Sequence, residues 1–360
     1  MRRIFGALAG LALCFGLLVP GGSPTARAAS DRPDLTGRLK EIFQNRAKWL
    51  LSDGAPPPLE ADYAMNSVRA KWAVQHEQGK IRYVRTWAEH RRVRFVEATP
   101  SLYIKYLSGD ETRARFYVGQ TLALGYVYPG EPEINRFGVG SRHILELRQQ
   151  DGRWQVGSEW YSDPLGDESE APAALPALAP GDSDPVQRAA LLGARRKGYD
   201  RQGAIAYADK YCGLAWGCGN DHRYNVKYRN YTGDGGDCTN FLSQILRDGG
   251  GLRIPPGIIR VSNMAGYLQG SGRGWLAARG SLPQVWKQAA RDPRGFTALV
   301  GPADLVAYQF KGKMEHFAII TGFDSHGYPM VNSHTADRYH VPFDLGWDRR
   351  AIFWFFRVSS

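Results

Sequence analysis

The stretch GGDCTNFLSQILRDGG, residues 235–250, constrains this chain more than any other. Two glycines lead into an acid and a cysteine, and a short apolar-periodic run then ends at paired glycines. Phe241, Leu242, Ile245 and Leu246 recur at i, i+1, i+4 and i+5, which predicts a helix with one face turned inward. Asp237 suits the N-cap, because a carboxylate there accepts from a free backbone N–H one turn in. Gly249 and Gly250 are expected to supply a positive-φ stop. Cys238 then falls on the first helical turn, where unpaired N–H groups and the macrodipole favour a thiolate. An isolated cysteine is more often a small buried residue. The glycine-rich approach and the helix-start position point instead to a nucleophile.

A nucleophilic cysteine must stay out of disulfides. The chain has four cysteines. Cys14 lies in a segment, residues 1–28, that reads as a signal peptide: Arg2 and Arg3, an apolar run over 4–20, and a small-x-small site at Ala26-Arg27-Ala28. The run is short for a membrane span, so the expectation is a secreted, extracellular protein with no integral span after cleavage. Cleavage removes three arginines and no acid, so the net charge falls from +11 to +8. A basic exported chain suits an anionic partner such as the cell-wall surface. No nucleic-acid-binding signature stands out, and none is expected as a partner. In an oxidising compartment Cys212 and Cys218, on either side of GLAWG, are expected to pair, stabilising by about 2 kcal/mol. That leaves Cys238 as the odd, reactive thiol. A zinc site from Cys212, Cys218 and His222 is the rival arrangement.

The length suits two cored domains. In the first, residues 30–161, amphipathic helices are predicted over 34–50 and 59–85, then strands over 92–104, 113–128, 141–149 and 154–160. Helices followed by a curved antiparallel sheet define an α+β accessory domain. It shows no catalytic constellation. Residues 162–184, rich in proline, alanine and acids, read as a linker. The second domain spans 185–360. It opens with a helix over 186–211, broken near Gly198, and residues 251–300 read as irregular. Such loops above a helix N-terminus shape substrate clefts, with Trp275 among their aromatics. Strands are predicted over 303–310, 316–323, 328–334 and 351–358.

A thiolate needs a base that takes its proton and returns it to the leaving group, and histidine is the usual choice. His316 opens an otherwise apolar strand, sharing a face with Ala318 and Ile320 while Phe317 and Ile319 take the other. The base in turn wants an orienting partner. Asn332 and His334 share a face of the next strand, and either suits that role. The oxyanion hole would use the Cys238 N–H and a second donor, with Tyr231 and Asn240 as candidates. Asp237, beside the nucleophile, joins these and Trp275 as a candidate substrate-binding residue. The Gly-x-Ser-x-Gly elbow of serine hydrolases and the His-Glu-x-x-His of zinc peptidases are absent from the sequence. The chemistry calls for no metal and no cofactor.

These residues resemble a known family. The helix YDRQGAIAYADKY, the Asn/Tyr-rich loop, GGDCTNFLSQ, EHFAIITG and NSHTADRY look like the amidase domain of Gram-positive bacteria similar to papain-like cysteine amidases and peptidases of the CHAP and NlpC types. The resemblance covers residues 195–360. It implies a papain-like α+β domain with the nucleophile at a helix N-terminus packed on an antiparallel sheet. It also implies Cys238 as nucleophile, His316 as base, and His334 or Asn332 as third residue. The expected function is hydrolysis of amide bonds, in peptidoglycan or a similar peptide substrate, through a thioester. The alternative is an inactive cell-wall binding or scaffold protein on the same fold.

Overall fold

The computed structural model describes residues 35–52, 58–166, 170–176, 198–255 and 257–359. The predicted signal segment and the helix expected over 186–197 lie outside them. Leu39, Ile42, Phe43, Ala47 and Leu50 fall on one stripe of α1 (Leu35–Leu51) and are buried, as their spacing predicts. The second helix, α2 (Val68–Arg91), starts later than residue 59 because Ser67 caps it, its side chain accepting from the Ala70 N–H. A short 3-10 turn, Leu59–Asp62, precedes it. Then come β1 (Arg94–Gly109), β2 (Arg113–Val127), β3 (Asn135–Gln150) and β4 (Arg153–Ser162).

The C-terminal part places α3 (Arg201–Tyr211), α4 (Cys238–Gln244), α5 (Val261–Gly270), β5 (Gly274–Gly280), α6 (Leu282–Ala289) and α7 (Phe296–Leu299) before a run of strands. These are β6 (Leu305–Phe310), β7 (Lys313–Phe323), β8 (Pro329–Ser333), β9 (Asp337–Pro342) and β10 (Ile352–Val358). Residues 251–300, expected to be irregular, thus hold three helices and an edge strand. The fold is α+β, with an open antiparallel sheet in the order β1-β2-β3-β9-β8-β7-β6-β10-β5 and β4 also on β3.

Alternation along β6 and β7 divides the C-terminal core. Leu305, Ala307, Phe317 and Ile319 face Phe241, Leu242 and Ile245 of the α4 segment. Val306, Tyr308, Ala318 and Ile320 face α6, Phe343 and Trp347. The helix of Cys238 therefore packs on one face of the sheet.

One sheet runs through both parts of the chain. Gly138, Val139 and Gly140 of β3 pair with Tyr339, Arg338 and Asp337 of β9. The absence of side chains at Gly138 and Gly140 admits the 212–218 loop: a Cβ at Gly138 would stand 2.0 Å from the Trp216 carbonyl oxygen. Polar contacts add to the join. Tyr126 and Tyr128 donate to Asp324 Oδ2, each at 2.7 Å, and Trp87 donates to Asp344 at 3.0 Å. The described residues between the two parts are pinned to α2. Asp163 meets Lys80 at 2.8 Å, and the Ala173 carbonyl accepts from Arg91 at 3.0 Å.

Candidate active site around Cys238

Cys238 is the first residue of α4, and its thiol is free of any disulfide and buried. Cys212 and Cys218 form the predicted disulfide, with Cα atoms 5.5 Å apart. His222, the third member of the rival zinc set, instead points Nδ1 at the Ala215 carbonyl, 3.2 Å away.

The end of the helix differs from expectation. After Gln244 the backbone loosens into a π-turn over Ile245–Gly249, and the residue with positive φ is Gly251. Gly249 and Gly250 are small for another reason. A Cβ on Gly249 would reach within 2.8 Å of the Gly203 carbonyl oxygen, and one on Gly250 within 2.3 Å of the Tyr199 ring. They let α3 lie directly on this segment.

Asp237 makes no side-chain cap to the helix backbone. Its carboxylate faces backwards and is fully engaged. Oδ1 accepts from the Tyr231 N–H and the Asn240 amide, both at 2.9 Å, and Oδ2 meets His334 Nδ1 at 2.7 Å. The Asp237 N–H donates to Thr335 Oγ1 at 2.6 Å. Thr335 has φ 73°, a strained value for a β-branched residue. The start of α4 is thus tied to the turn between β8 and β9 rather than capped in the usual way.

His334 is buried and saturated. Its ring is stacked between Tyr224 and Phe241, with centroids 3.7 and 3.6 Å away. Nε2 lies 2.6 Å from the Tyr211 carbonyl oxygen, which can only accept, so Nε2 carries hydrogen. The bond at Nδ1 then holds one proton between imidazole and carboxylate. Asn332 is equally committed: it donates to Asp209 at 2.8 Å and accepts from the His340 N–H at 2.7 Å. Neither side chain is hydrogen bonded to His316.

His316 is buried opposite Tyr308, and it does not open the strand as expected, since β7 begins three residues earlier at Lys313. Its ring lies 5.6 Å from that of Tyr308 and 5.8 Å from that of Trp347. It shares the face of Ala318 and Ile320, as its position in the strand predicts. The Cys238 sulfur lies near the same strand one residue on, where the Phe317 backbone N–H favours its ionised form. Thr239 Oγ1 stands 3.8 Å from the sulfur. Among the described residues His316 is not a hydrogen-bond partner of the thiol, because alternation turns its ring to the Tyr308 side. Burial pushes the Cys238 thiol above its ordinary range, against the smaller opposing effects of the Phe317 and Thr239 contacts. Burial therefore works against the expected resting thiolate.

Of the other candidates, Tyr231 gives its N–H to Asp237, and Asn240 gives its amide to Asp237 and the Arg229 carbonyl. Trp275 stands exposed on edge strand β5, its ring 5.1 Å from the Arg357 guanidinium carbon. A potential metal-ligand group, His76, Glu77 and Asp163, lies in the N-terminal core, but the Lys80 ammonium already sits between the two carboxylates at 2.9 and 2.8 Å. Residues not anticipated from sequence are Asp337 and Tyr224. Buried Asp337 accepts from Arg142, the Leu214 N–H and Tyr224.

Comparison with known proteins concerns the part of the chain that holds these residues. The family described as "Putative amidase domain" matches residues 198–255 and 257–357, so the C-terminal part of the chain carries a domain of this family. A relative is the uncharacterized protein YhbB of Bacillus subtilis (strain 168), 28% identical over 155 residues. The match covers 39% of this chain and 42% of that protein, less than half of either.

Proposed function

We propose that the C-terminal domain is a cysteine-dependent amidase or peptidase with Cys238 as nucleophile and His316 as acid and base. One observation supports this above the rest: the free sulfur stands at the head of α4, which packs on β7 beside Phe317, the residue after His316. The domain's family description points to amide substrates. In the reaction the Cys238 sulfur attacks the amide carbonyl carbon as its proton passes to His316. The C–N bond breaks with that proton leaving on the amine, and a water deprotonated by His316 cleaves the thioester. The Cys238 backbone N–H lies at a helix start and is suited to the developing oxyanion. Because alternation places the His316 ring on the Tyr308 side of β7, this reading requires the strand around residues 316–317 to shift when substrate binds. Peptidoglycan peptide bonds fit the basic charge and the signal-like N-terminus.

The test is mass spectrometry of purified cell-wall fragments after incubation with the wild type and with Cys238→Ala. New amine and carboxyl termini that disappear in the variant support the assignment, whereas identical products from both proteins exclude it. A second reading is favoured by the suppressed thiol and by the commitment of Asn332 and His334 to other partners. In it the domain binds wall material without turnover. Fragment binding by the wild type with no change in fragment mass identifies that case.

A further inference from the structure

The network behind Cys238 does not end in its own domain. Asp237, next to the nucleophile, is held by His334. The His334 ring lies flat against Tyr224, and the Tyr224 hydroxyl donates to Asp337 Oδ1. Asp337 Oδ2 accepts from the Leu214 N–H at 2.9 Å and from Arg142 of β3 at 2.6 Å. Arg142 also reaches the Tyr224 hydroxyl at 3.3 Å. Arg142 stands two residues beyond Gly140, which pairs with Asp337 across the join of the sheet. Asp337 is wholly buried, and among the described residues it has no other cation in contact. A carboxylate in that position requires a paired charge to be tolerated, and the other half of the chain supplies it.

We propose that Arg142 is a positioning residue for the Cys238 site, acting through Asp337, Tyr224, His334 and Asp237. The N-terminal part is then a structural component of the site in addition to any wall-binding role. The proposal rests on the amidase reading for its catalytic consequence, but its geometric content is independent of turnover. Without the guanidinium, Asp337 loses its counter-ion and Tyr224 is released from its anchor. The Tyr224 ring then no longer holds His334 against Phe241, and the start of α4 loosens.

The experiment follows iodoacetamide alkylation of Cys238 against pH in the full chain, by mass spectrometry, for Arg142→Gln, Arg142→Lys and Tyr224→Phe. Arg91→Gln is the control, because Arg91 also crosses to the C-terminal part, at Asp344, but does not lead to Cys238. Relay coupling of ordinary size predicts alkylation about 5-fold faster near neutral pH in Arg142→Gln, with its profile moved toward that of an ordinary thiol. Arg142→Lys should recover part of the change, and Tyr224→Phe should show it with the ring still present. Where Arg142→Gln does not fold, Tyr224→Phe decides. A wild-type profile in Tyr224→Phe, or an equal shift in Arg91→Gln, overturns the proposal in favour of general loosening of the join. In a turnover assay Arg142→Gln should lower kcat more than it raises KM. Turnover that survives Cys238→Ala would instead remove the amidase reading, leaving the alkylation result to stand alone.

Discussion

Asp237 and His334 meet through a buried 2.7 Å hydrogen bond immediately before the candidate nucleophile. An acidic residue before a cysteine reads in sequence as a helix cap or a substrate contact. Here it is a tether that fixes the helix start to the turn after β8. His334, one of the two residues that the resemblance offers for the third position, is therefore placed to hold the backbone before Cys238 and not His316.

Removing the tether should be costly. Asp237→Ala leaves His334, the Tyr231 N–H and the Asn240 amide without their shared acceptor. Breaking one partner of a buried pair predicts a loss of about 3 kcal/mol, read as a lower urea midpoint. The alkylation profile of Cys238 should also move down in pH, because the Asp237 charge opposes ionisation of the neighbouring sulfur. An unchanged midpoint would show that water replaces the carboxylate.

The resting thiol should be slow. Burial pushes Cys238 above the ordinary thiol value of about 8.5, so alkylation of the unliganded protein should reach half-maximum above that pH. Accelerated alkylation in the presence of a slowly cleaved amide ligand would mark activation by substrate. A midpoint well below 8.5 in the unliganded protein would contradict the desolvated environment.

Acid should weaken the N-terminal core before carboxylates begin to protonate. Burial lowers His76 from 6.5 to about 4, and among the described residues its Nε2 has no hydrogen-bond partner. The folded state thus binds a proton more weakly than the unfolded state. The stability contributed by keeping the ring neutral is complete above pH 6.5 and is lost as pH falls toward 4, by about 3 kcal/mol. His76→Phe, which keeps the stack on Tyr161, should flatten urea stability across that window. An unchanged slope would assign the loss elsewhere.

The join should be sensitive to a single methyl group. Gly138→Ala places carbon against the Trp216 carbonyl, and overpacking of this kind predicts a loss of about 1–3 kcal/mol. Differential scanning calorimetry should show one lowered transition. A wild-type melting temperature would mean that the 212–218 loop yields freely.

The regular parts of the fold were legible because their side chains obey simple periods. Phe241, Leu242, Ile245 and Leu246 mark the α4 segment, and the alternation of β7 separates Phe317 from His316 correctly. The short edge strand β5 was hidden by its glycines and by exposed Trp275 and Leu276. Strand β9 was not predicted, and the burial of its Asp337 was hidden because the partner that neutralises it, Arg142, is remote in sequence. The charge network beside Cys238 was illegible for the same reason: no local pattern ties position 142 to position 337. The suppressed thiol also escaped, since a helix start is visible in sequence and the depth of burial is not.

Three paired positions on β3 and β9 carry a practical consequence for anyone cutting this protein down to the portion that matches the family. A fragment beginning at residue 198 would expose β9 as an open strand border with free amides and carbonyls, and would strand Asp337 without its counter-ion. Such a piece invites self-association through that border. The segment that the family match recognises is smaller than the segment that shares one sheet.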